Sequence, residues 1–173
     1  MNTTEIYNKN FTEVKTRVYD KCHFEISKMK NELEGIEYDA CNFELNGMKI
    51  ISRSSKITPK KVGQFVTFWK RNVKGITEPY CETDRIDFYV INVKSKNNFG
   101  QFVFPKHALI HKGILSTKKN DGKRGFRVYP KWDKAQNKQA KETQKWQLNY
   151  FYKIDSTTDF KKVNELYNRN SIV

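Results

Sequence analysis

From Arg85 to Val93 the chain places apolar side chains on both faces of one extended segment. At a period of two, Ile86, Phe88 and Val90 fall on one side and Tyr89, Ile91 and Val93 on the other. A strand that is apolar on both faces needs cover on both, which marks a central strand of a layered domain. Asp87 interrupts the run near its start and calls for a separate explanation.

The flanking segments predict helices and further strands. Between Ile6 and Leu33 the positions Phe11, Val14, Val18, Cys22, Ile26, Met29 and Leu33 step by three and four, the pattern of one long amphipathic helix ended by Gly35. Cys41–Leu45 and Met48–Ile51 flank Asn46-Gly47, the pair that a type I′ hairpin turn favours because both central residues need positive φ. Thr58-Pro59 reads as an N-cap followed by proline at the first helical position, with Val62, Phe65, Val66 and Trp69 as the buried stripe. After Arg85–Val93 come a short strand at Gln101–Phe104 and a brief helix from Pro105 to Lys112 closed by Gly113. A strand at Phe126–Tyr129 and helices near Lys134–Tyr152 and Asp159–Arg169 complete the pattern. The expectation is an α+β fold: one domain over residues 1–173, a mixed β-sheet core flanked by helices, with no repeat and no dividing linker.

The 173 residues suit one core, since chains of this size bury about 70% of the surface exposed when unfolded. Aromatics at 14% supply that core despite a mean hydropathy of −0.83. No apolar run approaches the roughly 18 residues of a membrane span, and the first residues show no secretory pattern. Cys22, Cys41 and Cys81 have the spacing of neither a disulfide framework nor a zinc cluster. Together these predict a cytoplasmic protein with reduced thiols.

Charge is unevenly spread. Residues 1–50 carry seven Lys/Arg against nine Asp/Glu, whereas residues 51–173 carry twenty-six against ten. From Lys94 to Lys145 fourteen basic side chains meet three acids. Such a field attracts polyanions, and nucleic acid rewards it most because each neutralised phosphate releases counterions. The expected phosphate contacts are Arg53, Lys56, Lys60, Lys61, Lys123, Arg124, Arg127 and Lys131, joined by Lys138, Lys141 and Lys145 on one helical face. Thr58-Pro59-Lys60-Lys61 is expected to seat a phosphate at a helix N-terminus. Tyr129 and Trp132 lie close enough to this belt either to stack on unpaired bases or to join the core.

A catalytic reading centres on Asp87. Two-metal nucleases place an Asp on one core strand and an acid-x-Lys element on the next; the carboxylates hold Mg²⁺ while the lysine orients the nucleophile. Here the candidate set is Glu44, Asp87 (also the metal ligand), Gln101 and Lys106, with Gln101-Phe102-Val103 standing where acid-x-Lys belongs. The competing reading makes Asp87 a cap or salt bridge at the strand entrance, paired with Arg85. His107 and His111 are spaced i, i+4, with no Glu between them in the zincin pattern and no Cys close in sequence.

Several ordered stretches resemble the MepB family of small bacterial proteins. They are Lys56–Arg71 (KITPKKVGQFVTFWKR), Asp87–Val90, Gly100–Lys106, Gly122–Pro130 with Trp132-Asp133, Lys138–Ala140 and Thr143–Gln147, together covering about residues 40–152. The resemblance implies a fold similar to restriction endonucleases and nucleic-acid binding, with Asp87 and Gln101 on the core hairpin. The resulting expectation is a duplex-DNA-binding protein with a nuclease-like core and a degenerate active site. The alternatives are a Mg²⁺-dependent nuclease, an accessory factor whose basic face docks on an acidic partner or anionic membrane surface, and an RNA binder.

Overall fold

The computed structural model describes residues 7–172. Its centre is a six-stranded sheet in the order β1-β2-β3-β8-β9-β11. These strands are β1 (Ile26–Asn31), β2 (Cys41–Leu45), β3 (Met48–Ser54), β8 (Phe88–Ser95), β9 (Asn98–Pro105) and β11 (Phe151–Lys153). β3 and β8 run parallel; every other neighbouring pair is antiparallel. A second sheet in the order β10-β5-β4 comprises β4 (Lys56–Thr58), β5 (Lys61–Thr67) and β10 (Gly125–Val128), and β6 (Trp69–Arg71) pairs with β7 (Thr77–Pro79). The mixed sheet with flanking helices is the α+β architecture that the sequence predicts.

The strand expected at the centre is there. β8 lies between β3 and β9, with Phe88 and Val90 in one core and Tyr89, Ile91 and Val93 in the other. The first core is covered by α1 (Lys9–Val14), a π-helical turn at Lys15–Tyr19 and α4 (Phe160–Leu166). The second is covered by the small sheet, α2 (Lys106–His111) and α3 (Lys138–Gln147). Ile86 precedes the strand and packs against this second core, not with Phe88 and Val90.

The expected long N-terminal helix is replaced by two shorter elements and a strand; its expected start at Ile6 lies outside the described residues. α1 is capped by Asn8, whose side chain accepts from the Phe11 N–H at 2.8 Å. The chain then turns at His23, φ +55°, and continues as β1 against β2. The three-four spacing survives in the sequence, but strand pairing takes Ile26 and Met29 out of the helix. Cys22, expected on the core face, is half-buried against the first core. The predicted hairpin at Asn46-Gly47 forms with both residues at positive φ, +50° and +78°.

The expected helix from Thr58 is instead the β4–β5 hairpin. Gln64, Val66 and Phe68 alternate inward at a period of two, and Gly63 at φ +81° could not continue a helix in that conformation. Val62, placed by the helical reading in a buried stripe, is exposed. The helix expected at 134–152 runs only from Lys138 to Gln147, because Phe151–Lys153 pairs with β9. Gly100 permits this: a Cβ there would stand 2.6 Å from the Phe151 ring.

Candidate nucleic-acid interface

Between the β5–β10 face and α3 lies a cleft of about 700 Å³. Lys60 and Lys61 stand at its β4–β5 end, Arg127 on β10, Lys123 just before β10, and Lys112 at the end of α2. No Asp or Glu is among the described residues that line it, and none of the five cations belongs to an ion pair between described residues. Elsewhere acids do neutralise bases: Glu13 meets Lys94 at 2.6 Å, Glu34 meets Arg71 at 2.5 Å and Asp84 meets Lys70 at 2.5 Å. Part of the charge excess read from the sequence thus faces this cleft without a paired acid.

Its walls are fixed by hydrogen bonds that, among the described residues, do not engage the lysine ammonium groups. Arg127 donates to Thr58 Oγ1 at 2.7 Å and to the Gly63 carbonyl at 3.2 Å, tying β10 to the β4–β5 turn. Opposite, buried Gln147 of α3 accepts from the Tyr129 N–H at 2.8 Å and donates to the Arg127 carbonyl at 2.9 Å, as a neighbouring strand would. Gln144 donates to the carbonyls of Pro130 and Asp133 at 3.0 and 2.7 Å and holds the following loop.

Several expected contacts lie elsewhere. Arg53 is buried, 3% exposed, with its guanidinium on both Glu32 carboxylate oxygens (2.8 and 3.1 Å), the Tyr80 hydroxyl and the Ser52 carbonyl; it cannot reach a phosphate. Burial pushes the Tyr80 phenol up to about 12 against the opposing pull of Arg53. Lys56 pairs with Glu37 at 2.8 Å outside the cleft. Arg124 is exposed and leans on the Thr77 carbonyl, and Lys131 is exposed on the loop before α3. Lys138, Lys141 and Lys145 are exposed on the side of α3 turned away from Gln139, Thr143 and Trp146, the residues that face the cleft. Lys60 and Lys61 act from a β-turn, so the expected helix N-terminal phosphate seat does not exist. Sequence reasoning missed Lys112, whose ammonium also lies 5.4 Å from the Trp146 ring centre; closing the short α2 with a lysine gives no signal that this residue meets α3, which begins only at Lys138.

The candidate catalytic residues do not converge. Gln101 is 1% exposed and accepts hydrogen bonds from the hydroxyls of Tyr152 (2.6 Å) and Tyr167 (2.5 Å), while donating to Asn92 Oδ1 at 2.8 Å. Burial raises the pKa of both these phenols and of Tyr19 beside them. Glu44 pairs with Lys28 at 3.0 Å. Asp87 Oδ2 accepts from the Lys49 N–H at 2.8 Å, so the carboxylate fastens β3 to the start of β8; Arg85 is not its partner.

Asp87 and Lys106 do share a surface pocket, together with Asp84. Asp84 is already engaged by Lys70 and by the Cys81 N–H at 2.8 Å, and its carbonyl accepts from the Lys106 ammonium. Burial works to lower the Lys70 pKa, but Asp84 and Glu78 outweigh it and hold it above the usual lysine value. Both carboxylates already accept from protein donors, and no group of three acidic, His or Cys side chains gathers among the described residues. His107 and His111 are both exposed on α2 and add no third ligand.

A family model described as MepB-like matches residues 32–153, well over half of the chain. The chain belongs to the MepB-like family. A solved structure described as MepB is 34% identical, covering 87% of this chain and 99% of that one, with a TM-score of 0.75. The MepB-like match contains the whole cleft from Lys60 to Gln147. A bacterial homing endonuclease, I-Ssp6803I, is 17% identical over 85% of this chain and 93% of its own, with a TM-score of 0.46. No curated protein matches. Among the described residues no helix is long and apolar enough to cross a membrane.

Proposed function

We propose that this MepB-like chain binds nucleic acid, with duplex DNA as its first partner, through the cleft between β5–β10 and α3. The observation that carries the reading is the set of five cations facing one concavity, with no carboxylate lining it and no ion pair to quench them among the described residues. Fixed cations in a concave, partly apolar wall focus potential outward and favour a phosphate backbone over a compact anion. Lys138, Lys141 and Lys145, on the outer side of α3, extend the positive field for flanking phosphates. An endonuclease-like core remains what the family resemblance implies, and binding requires no cleavage.

The test is fluorescence anisotropy with a labelled duplex of about 20 base pairs across a salt series, with and without Mg²⁺, followed by a denaturing gel. Five phosphate contacts give a log–log salt slope of about −4.5. The reading predicts that slope and intact strands. Absence of binding at low salt would overturn it and leave an acidic protein as the partner; strand scission that requires Mg²⁺ would restore the nuclease.

A further inference from the structure

We propose that the cleft admits an unpaired nucleotide, with its base stacked on Tyr129, so that the preferred ligand is nucleic acid carrying a single-stranded stretch; this rests on the nucleic-acid reading above. Tyr129 is half-buried and lines the cleft. Its ring is backed by Gly63, where an added Cβ would stand 2.6 Å from Cε1, so the missing side chain lets the ring lie against β5. Among the described residues no aromatic ring stacks on it, and its hydroxyl has no protein partner; Trp132, the alternative in the belt, packs 5.8 Å from Phe151. Aromatic planes beside cations are what unpaired bases use, and stacking tolerates any base.

Arg127 lies two residues before Tyr129, on the same side of the extended chain, and lines the same cleft, its guanidinium held by Thr58 Oγ1 and the Gly63 carbonyl. Across the cleft Gln139 and Thr143 present hydrogen-bonding groups that no described residue uses. The volume of about 700 Å³ is that of a small-molecule pocket, roughly 300–1,000 Å³. Bases within a duplex are stacked on one another and offer Tyr129 no free face, whereas an unstacked nucleotide does.

Anisotropy at one salt concentration would compare a blunt duplex, the same duplex with a short 3′ overhang, and single-stranded DNA and RNA of the overhang sequence. The expected result is tighter binding of the overhang than of the blunt duplex. Tyr129→Ala should cost the overhang roughly 5- to 150-fold, the loss of one base–aromatic stack, and change the blunt duplex less than about 2-fold. Tyr129→Phe should behave as the unmodified protein, and Tyr129→Leu, which keeps Gly63 covered, should fail like Tyr129→Ala if the ring is what matters. The DNA and RNA strands show which sugar the cleft accepts. Equal affinity for blunt and overhang ligands, or equal loss on both in Tyr129→Ala, would overturn the proposal while leaving the basic cleft intact. No binding of any ligand by the unmodified protein would sink both.

Discussion

Gln147 substitutes for a β-strand beside Arg127. Its amide donates to the Arg127 carbonyl at 2.9 Å and accepts from the Tyr129 N–H at 2.8 Å, a pair of bonds that β10 would otherwise take from an edge neighbour. One buried side chain thus sets the distance between α3 and β10, and with it the width of the cleft.

Gln147→Ala should therefore leave the part-buried Tyr129 N–H and Arg127 carbonyl without their partner and cost about 1–3 kcal/mol. Urea unfolding of the variant would show a lower midpoint with an unchanged slope. An unfolding free energy within about 0.5 kcal/mol of the unmodified protein would mean that another group closes this edge.

Cations of similar chemistry should differ in effect. Lys61→Ala removes a cleft charge that has no acidic partner, and the salt slope for DNA should flatten by about 0.9. Lys56→Ala removes one half of the Glu37 pair outside the cleft, and the slope should stay put. Arg53→Ala should leave the slope unchanged and lower stability by about 3 kcal/mol, since it abandons Glu32 in a partly buried position. Salt-series anisotropy together with urea unfolding separates the three, and a flattened slope in Lys56→Ala would move the interface.

The central strand and the hairpin at Asn46-Gly47 were legible because their signals are local: two apolar faces, and two residues able to take positive φ. The segment after Thr58 reads as a helix although it is a hairpin, because a hydroxyl before proline also begins a turn, and the inward set Gln64, Val66 and Phe68 contains a polar residue that masks the period of two. Gln64 is tolerated inside because its amide donates to the Lys94 carbonyl at 3.0 Å and accepts from Ser55 Oγ at 2.7 Å, partners remote in sequence. The basic belt around Lys123 and Arg127 was visible as composition. That Lys112 joins it, and that Arg53 does not, depends on which elements the fold brings side by side.

Gln101 illustrates a residue whose role changes once its partners are known. Gln101→Ala should destabilise the protein by about 2–4 kcal/mol, because three tyrosine hydroxyls and Asn92 lose their common partner. Asp87→Asn keeps an oxygen for the Lys49 N–H and should cost less than about 1 kcal/mol. Thermal or urea unfolding of both variants provides the check; the reverse ranking would reinstate Asp87 as the critical group.

Alkaline pH should reveal the same network. Burial raises the Tyr19, Tyr152 and Tyr167 phenols in the folded state, so above the ordinary value near 10 the unfolded chain loses protons that the folded chain keeps. Their contribution to stability is fully present below about pH 10 and falls as pH rises, by about 1.4 kcal/mol per unit for each retained proton. Absorbance at the phenolate band should show these tyrosines ionising together with unfolding. Ionisation of all nine tyrosines near pH 10 in a folded protein would contradict the buried cluster.

The Cys41 thiol offers a chemical check on the core. It is fully buried, and burial pushes its pKa up to about 12, so at pH 8 it has almost no thiolate to react. Iodoacetamide labelling followed by peptide mass mapping should leave Cys41 unmodified until denaturant is added. Rapid labelling of Cys41 in the native protein would mean that the β2 side of the sheet opens.

The most direct test of the cleft is photo-crosslinking to an oligonucleotide carrying photoreactive bases, with the modified peptides located by mass spectrometry. The account predicts crosslinks at Tyr129 and on the segments holding Lys60–Lys61, Lys123 and Gln139–Thr143. Crosslinks confined to the opposite layer, around Lys15, Lys28 or Lys161, would contradict it.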